Sequence, residues 1–439
     1  MTATGAEDPS GSGPSPVRDA RFFTFLGGVA LADIGDHAWV VVLAYAAALS
    51  GDPLTATVTV AAGTIPRAIL DLVGGAVADR LPTRPLLIGA AGTRVLALVA
   101  GLVALSTMPE RTIPIMIVLA VFFGAADALH KPAVFTMPRQ LIGVGQLVRA
   151  ASLRQLINRL AMLGGPALAG VVLATVHVPG AIAGLVAVFT VAAILLALVR
   201  PRFERERSER QSVIAATRQV VRYLRTDSVA RSLVYSMVGL NFFVIPVINA
   251  GVALRVAEEG WGAGVLGILM ASIGVGAVVG TAVTLRLKPR YPMRFALILL
   301  IAQGFGLALT GVLPMVGVAV SLGLVGLTAG LSSPMLAGTA QAIVRPNYIG
   351  RVFSVVGLAD DALVPFGLIG YGLLAGVIGI GPTTVICGAG MALLMALALL
   401  RRSLRTLRID QAPEEDVSAA AQSDEAESDG AECDSSATG

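Results

Sequence analysis

Lysine is almost missing from this chain: Lys131 and Lys288 are the only two among 439 residues. Neither follows a glycine, so no phosphate-cradling Gly-Lys loop is present, which argues against direct use of ATP. Cysteine is as scarce, with Cys387 in the last apolar stretch and Cys433 in a polar tail, a placement that supports neither a disulfide framework nor a metal knuckle. Charged residues make up 14% and aromatic residues 5% of the chain, against 55% hydrophobic residues. With a mean hydropathy of +0.81, that balance excludes ordinary globular packing. Lipid is the expected solvent for most of the chain.

About 20 mostly apolar residues are needed per helical crossing of a bilayer. Twelve such stretches are predicted, at 22–49, 55–78, 86–107, 113–136, 153–176, 179–199, 231–254, 262–286, 293–313, 315–338, 353–377 and 380–400. The fold class that follows is all-α and polytopic. Arginine sits in alternate connections: Arg18 and Arg21, Arg80 and Arg84, Arg139 and Arg149, eight arginines between Arg200 and Arg225, then Arg286, Arg345, Arg351 and four between Arg401 and Arg408. The other set of connections holds only Arg111 and Arg255. Positive residues stay on the cytoplasmic side, so both termini are expected inside a cell inner membrane.

Residues 1–21 read as a disordered cytoplasmic tail, 22–199 as one six-helix bundle and 200–230 as a cytoplasmic linker ending in an amphipathic surface helix. A second bundle follows over 231–401, and the tail 402–439 is expected to be disordered, with ten acidic and no basic residues after Arg408. Without that acidic end the chain would carry about +14, but arginines set in short loops between apolar runs are the mark of membrane orientation, not of nucleic-acid binding. An internal repeat supports two halves. At a constant offset of 202 residues Gly124 matches Gly326, Leu129 Leu331, Pro132 Pro334, Arg149 Arg351, Ser152 Ser354, Gly165 Gly367 and Gly170 Gly372. Twelve helices in two pseudo-symmetric six-helix halves are therefore predicted, related by an axis along the membrane normal.

The connection after the second stretch reads Gly75-Ala-Val-Ala-Asp79-Arg80-Leu-Pro-Thr-Arg84. It resembles the loop signature of the major facilitator superfamily, departing from it at Pro82 and Thr83, where a glycine and a basic residue are usual. Leu31-Ala-Asp-Ile-Gly-Asp36, Ile65-Pro-Arg67 and Gly350-Arg-Val-Phe-Ser354 look like the bacterial drug-exporter branch that includes macrolide and enterobactin exporters. Gly165, Pro166 and Gly170 are similar to the Gly-Pro signature that the superfamily's antiporters carry in their fifth helix. The resemblance covers about residues 20–405. It implies alternating access, a small-molecule substrate, no cofactor, and an inner gate in which Asp79, Arg80 and Arg84 meet the end of the eleventh helix near Asp360 and Asp361.

Ionisable groups inside crossings carry the chemical signal, because a charge at helix centre costs on the order of 3 kcal/mol on insertion scales and so faces a partner or a wet cavity. Asp33, Asp36 and His37 share a face of the first crossing. Arg67 and Asp71 do so in the second, and Arg94, Asp127, His130, Arg159, Asp360 and Asp361 add to the set. A proton-coupled exchanger needs an acid that alternates between a dry and a wet or cation-paired setting. Asp36 is the first candidate, then Asp33 and Asp127, with Arg67 the nearest countercharge in depth. Permanent ion pairing or direct substrate contact are the competing roles.

The leading function is proton-driven efflux of an amphipathic drug, antibiotic or siderophore by a monomer in the lipid bilayer. A lipid or lysophospholipid flippase, or a nutrient importer, would share the fold. Asp33 with His37 and Asp127 with His130 also raise an intramembrane metal enzyme, although no metal site is expected, and the acidic tail raises a membrane sensor.

Overall fold

A computed structural model describes residues 19–78, 82–142, 146–201, 222, 225, 228–284, 286–287, 289–343 and 346–401. The described part is helical throughout. In the first half, α1 is Ala20–Ala48, α2 Pro53–Ala78, α3 Thr83–Thr107, α4 Thr112–Leu141 and α5 Leu147–Leu198. In the second, α6 is Ser228–Pro246, continuing through a π-turn at Val247–Gly251 into α7, Val252–Glu258. Then come α8 Ala263–Thr284, α9 Pro292–Leu309, α10 Met315–Ile343, α11 Pro346–Ile378 and α12 Ile380–Leu400.

Among the described residues, ten helical segments are long and apolar enough to span a bilayer. One of them, within α5, breaks at His177, whose φ of 58° no L-residue holds inside a helix, and so comprises two crossings. The helix α2 adds another; four threonines and Arg67 dilute its hydropathy. Twelve crossings result. The apolar stretches of the sequence locate them within a few residues at the ends near Ala48 and Gly51, whereas at the opposite ends the helices run on, as in α11, which begins at Pro346 instead of 353. Polar turns there are themselves helical, so hydropathy stops short of the backbone geometry. We call the side that carries Ala20 and Leu400 the terminal face and the opposite side the distal face.

Turn chemistry fixes the distal connections. Gly51 and Gly379 take left-handed backbones, φ 72° and 92°, that let α1 reverse into α2 and α11 into α12 within a few residues. Asp52 Oδ2 then accepts the Thr55 backbone N–H at 2.7 Å and caps α2.

The repeated glycines have matching duties in the two halves. A Cβ on Gly124 would collide with the Gly63 carbonyl of α2, and one on Gly326 with the Ile273 carbonyl of α8. Gly165 seats α5 against Ile34 of α1, and Gly367 seats α11 against Phe242 of α6. Polar contacts follow the same plan: Asn158 of α5 bonds His37 of α1, and its repeat mate Asp360 of α11 accepts from Asn241 of α6 at 2.9 Å. Backbone-to-backbone approach of this kind is how membrane helices associate without a hydrophobic drive. Gly124→Ala is therefore expected to push α2 off α4 and to cost about 1–3 kcal/mol, seen as a lower thermal midpoint of the purified protein. Gly164→Ala, with nothing within 4 Å of the added carbon, serves as the control.

The last repeat pair crosses between halves. Gly170 of α5 meets Gly267 of α8 backbone to backbone, and Gly372 of α11 meets Thr57 and Pro53 of α2. Both contacts lie toward the distal face. One buried apolar cluster accordingly joins Val42 and Ala47 of α1 and Val60 of α2 with Val252 and Val256 of α7, Leu266 of α8 and Leu368 of α11. On the terminal side the first half's buried residues, including Phe22, Phe25, Leu87, Met137 and Leu196, form a separate cluster of their own. The halves are thus sealed against each other at the distal face. A small recess behind the π-turn, lined by Gly251, Arg255, Trp261 and Thr384 among others, belongs to the second half alone.

Candidate transport site

Halfway along the helices, six charged side chains join into one network. Arg94 of α3 reaches Asp36 of α1 at 3.3 Å and Asp127 of α4 at 3.2 Å. Asp127 also pairs with Lys131 at 2.9 Å and with Arg67 of α2 at 3.3 Å. Arg67 in turn reaches Asp361 of α11 at 2.7 Å, which carries the network across to the second half. Three carboxylates face three cations, so the set is neutral when all are ionised.

Depth follows from helix geometry at 1.5 Å per residue. Asp36 lies sixteen residues into α1, about 24 Å from the terminal end, and Arg67 fourteen residues into α2, about 21 Å from the distal end. Both are beyond reach of either surface of a hydrocarbon core about 30 Å thick. Exposure tells what they face. Asp36 and Arg67 keep 30% of their side-chain surface open, Asp127 20% and Asp361 21%, while Arg94 keeps 1%. Four members are therefore only partly covered, and Lys131 keeps 43% open. Arg94 is the buried hub behind them.

Aromatic packing holds that hub. Its guanidinium lies 5.9 Å from the centroid of Phe123 and 5.4 Å from that of Phe189, while Trp39 stacks on Phe123 at 4.3 Å. A planar guanidinium between aromatic faces is pre-organised to serve two carboxylates at once. The spacing of aromatics in a 5% aromatic chain gave no hint of this cage, because its members come from α1, α4 and the far arm of α5.

Asp36, Asp127 and Arg67 all join the network, but the countercharge of Asp36 is Arg94, not Arg67: the long Arg94 side chain reaches Asp36 although α1 packs on α2 and hardly on α3, and Arg67 turns instead to Asp127 and Asp361. Asp33 lies one turn away on α1 with its Oδ2 buried and no hydrogen-bond partner among the described residues. Asp361 meets Arg67 in mid-membrane, and Asp360 meets Asn241. Asp79 and Arg80, with which the inner gate was drawn, lie outside the described residues, as does the side chain of Asp71. Gly75 falls in the last turns of α2. Arg84 donates from Nη2 to the Ala197 carbonyl at 2.8 Å, tying the start of α3 to the end of α5 within one half. Gly165, Pro166 and Gly170 line the side of α5 that meets α1 and α8, where the Pro166 carbonyl sits against Gly267. The helix stays continuous through Pro166, its one non-helical residue being His177.

The residues raised for a metal enzyme are otherwise engaged or sealed. His37 bonds Asn158, Asp127 serves three cations, and His130 is 3% exposed with neither ring nitrogen bonded among the described residues.

Two six-helix halves sealed on one side, with a charged site between them at mid-depth, define a secondary transporter. The chain belongs to the Major Facilitator Superfamily, whose family model matches residues 24–368. It is a transporter and not an enzyme. Macrolide efflux protein A of Streptococcus pyogenes is 26% identical over 88% of this chain and 96% of its own length. The enterobactin exporter EntS of Salmonella choleraesuis is likewise 26% identical, over 78% of this chain and 83% of its own. Among solved structures, a D-xylose–proton symporter superposes with a TM-score of 0.70 at 14% identity, covering 90% of this chain and 99% of its own. A bacterial homologue of the iron transporter ferroportin, in an inward-facing state, gives 0.67 at 16% identity, covering 86% and 98%. These last two share the fold.

Proposed function

We propose that this protein exports a small amphipathic molecule, of the drug, antibiotic or siderophore kind, by proton antiport with alternating access across a bacterial cytoplasmic membrane. The observation that carries the reading is the neutral charge network at mid-depth: a proton arriving on one carboxylate unbalances a set that binds both halves. Similarity to two exporters over most of the chain supports the direction. The arginine asymmetry supports cytoplasmic termini, which makes the terminal face the cytoplasmic one.

Energetics suit the task. One charge moved through 100 mV is worth about 2.3 kcal/mol, enough to hold a concentration ratio of roughly fifty-fold. The test is accumulation of a macrolide panel and of catecholate siderophores in cells with and without the chain, each with and without a protonophore. Several-fold lower accumulation of at least one compound, abolished by the protonophore, is the expected result. Equal accumulation of all of them, or efflux indifferent to the protonophore, would overturn it.

A further inference from the structure

Arg67 serves two carboxylates from opposite halves, Asp127 of α4 at 3.3 Å and Asp361 of α11 at 2.7 Å. In the same seam between α2 and α11, Gly372 packs against Thr57 and Pro53, eleven residues along α11 or about 16 Å nearer the distal face. Among the described residues the matching seam between α5 and α8 has no such bridge: Gly170 meets Gly267 there and Leu163 meets Gly274. The two seams are thus alike in backbone approach and unlike in charge. An offset of 210 residues relates Thr57 to Gly267 and Gly63 to Ile273, and it puts Ala277 where Arg67 would have its mate. The ion bridge is an addition to one side of a symmetric frame.

We propose that Arg67 is a shared latch, whose division between Asp127 and Asp361 sets how firmly the distal face is sealed. Held by Asp361, the guanidinium pins α11 to α2 below the Gly372 contact. Drawn to Asp127, it leaves α11 held to α2 by apolar and glycine packing without an ion pair, and the hold on the distal ends is weakened. Asp127 is also the carboxylate that Arg94 and Lys131 occupy, so its hold on Arg67 depends on whether Asp36 retains Arg94. Asp36 thereby communicates with the second half through Arg94, Asp127 and Arg67 in sequence, by direct contacts and without any motion of α1 toward α11. The other groups around this path are Asp33 on α1, His130 on α4 and Asp360 on α11; Asp360 is bonded to Asn241. The latch rests on the transport reading for what its release accomplishes, but its effect on shape does not require a substrate.

The two acids make opposite predictions, which a merely structural role for either would not. Spin labels at Ser50 and Val312, exposed residues at distal turns of the first and second halves, report distal opening as a distance distribution, with Cys387 and Cys433 replaced by alanine. The purified full chain is measured in nanodiscs without substrate or gradient. Asp361→Asn is expected to raise the distal-open population about tenfold, and Asp127→Asn, by leaving Arg67 to Asp361, to lower it below wild type. Asp361→Glu keeps the charge and is expected to match wild type. Should Asp361→Asn not yield monodisperse protein, Arg67→Gln is expected to open the distal face in its place. Unchanged distributions in Asp361→Asn or in its substitute, or shifts of one sign for both acids, would overturn the latch. Opposite shifts in a protein that alters no compound's accumulation would keep the latch and remove the exporter reading; export with unmoved distributions would do the reverse.

Discussion

Replacing Arg94 with leucine is expected to remove most of the folded protein, a larger effect than any other single substitution in the network. The guanidinium is 1% exposed and touches two carboxylates, Asp36 at 3.3 Å and Asp127 at 3.2 Å. Without it Asp127 still has Arg67 and Lys131, but Asp36 has no other cation within ion-pair distance among the described residues. Stranding one member of a buried pair costs about 3–5 kcal/mol, and the 30% exposure of Asp36 places this case toward the lower figure. A typical margin of stability is only about 5–15 kcal/mol. Lost contact with Phe123 and Phe189 adds to the deficit. The measurement is the monodisperse fraction and thermal midpoint after detergent extraction. Arg94→Lys is expected to fall between wild type and leucine, because an ammonium is a point charge that serves two carboxylates poorly. Adding Asp36→Asn to Arg94→Leu is expected to restore part of the lost midpoint. Wild-type stability of the leucine variant would show that Arg94 is not the hub of the network.

How much of this site is legible in the sequence depends on the distance over which a pattern speaks. Along one helix, spacing is informative: Asp33, Asp36 and His37 can be put on one face of α1, and a mid-helix acid is conspicuous against 55% hydrophobic residues. The 202-residue offset is equally legible, and the glycines it pairs prove to make corresponding close approaches, since a missing Cβ is required wherever two backbones meet. Partners between helices are another matter. Arg67 and Arg94 stand at similar depths, and depth alone points to Arg67 as the nearer cation to Asp36; even the neighbour relation of α1 and α2 points that way, and only the directions the side chains take send Arg94 across to Asp36 and Arg67 to Asp127 and Asp361. Asn241 as the partner of Asp360 was not legible: the 202-residue offset pairs Asp360 with Asn158 but carries Asn241 to Trp39 and not to His37, the residue that Asn158 bonds. The cage of Trp39, Phe123 and Phe189 left no signal, because nothing in the order of the chain links residues on α1, α4 and α5.

Removing the charge of Asp36 alone is expected to abolish uphill efflux while the protein still folds and binds. Geometry separates this case from that of Arg94. When Asp36 becomes asparagine, Arg94 keeps Asp127 at 3.2 Å and its place between the two phenylalanine rings, so no buried cation is left alone. The shape at position 36 is unchanged, and with 30% of its surface open the amide can be solvated from the space between the halves. Folding and substrate affinity should therefore stay within a few-fold of wild type. What disappears is a carboxylate that is paired in one protonation state and releases Arg94 in the other, and with it the means by which a proton alters the balance at Asp127 and Arg67. Efflux down a substrate gradient should persist, since alternation of the halves needs no proton when none is coupled. In vesicles with an imposed proton gradient, the asparagine variant is expected to give no accumulation above the equilibrium ratio, against roughly fifty-fold available to one proton at 100 mV. Gradient-driven transport at the wild-type rate would exclude Asp36 as the coupling acid and turn attention to Asp33, which lies one turn away with a buried oxygen lacking a hydrogen-bond partner among the described residues, or to Asp127. A variant that fails to fold would instead make Asp36 a structural anchor of α1, a role that the second contact of Arg94 argues against.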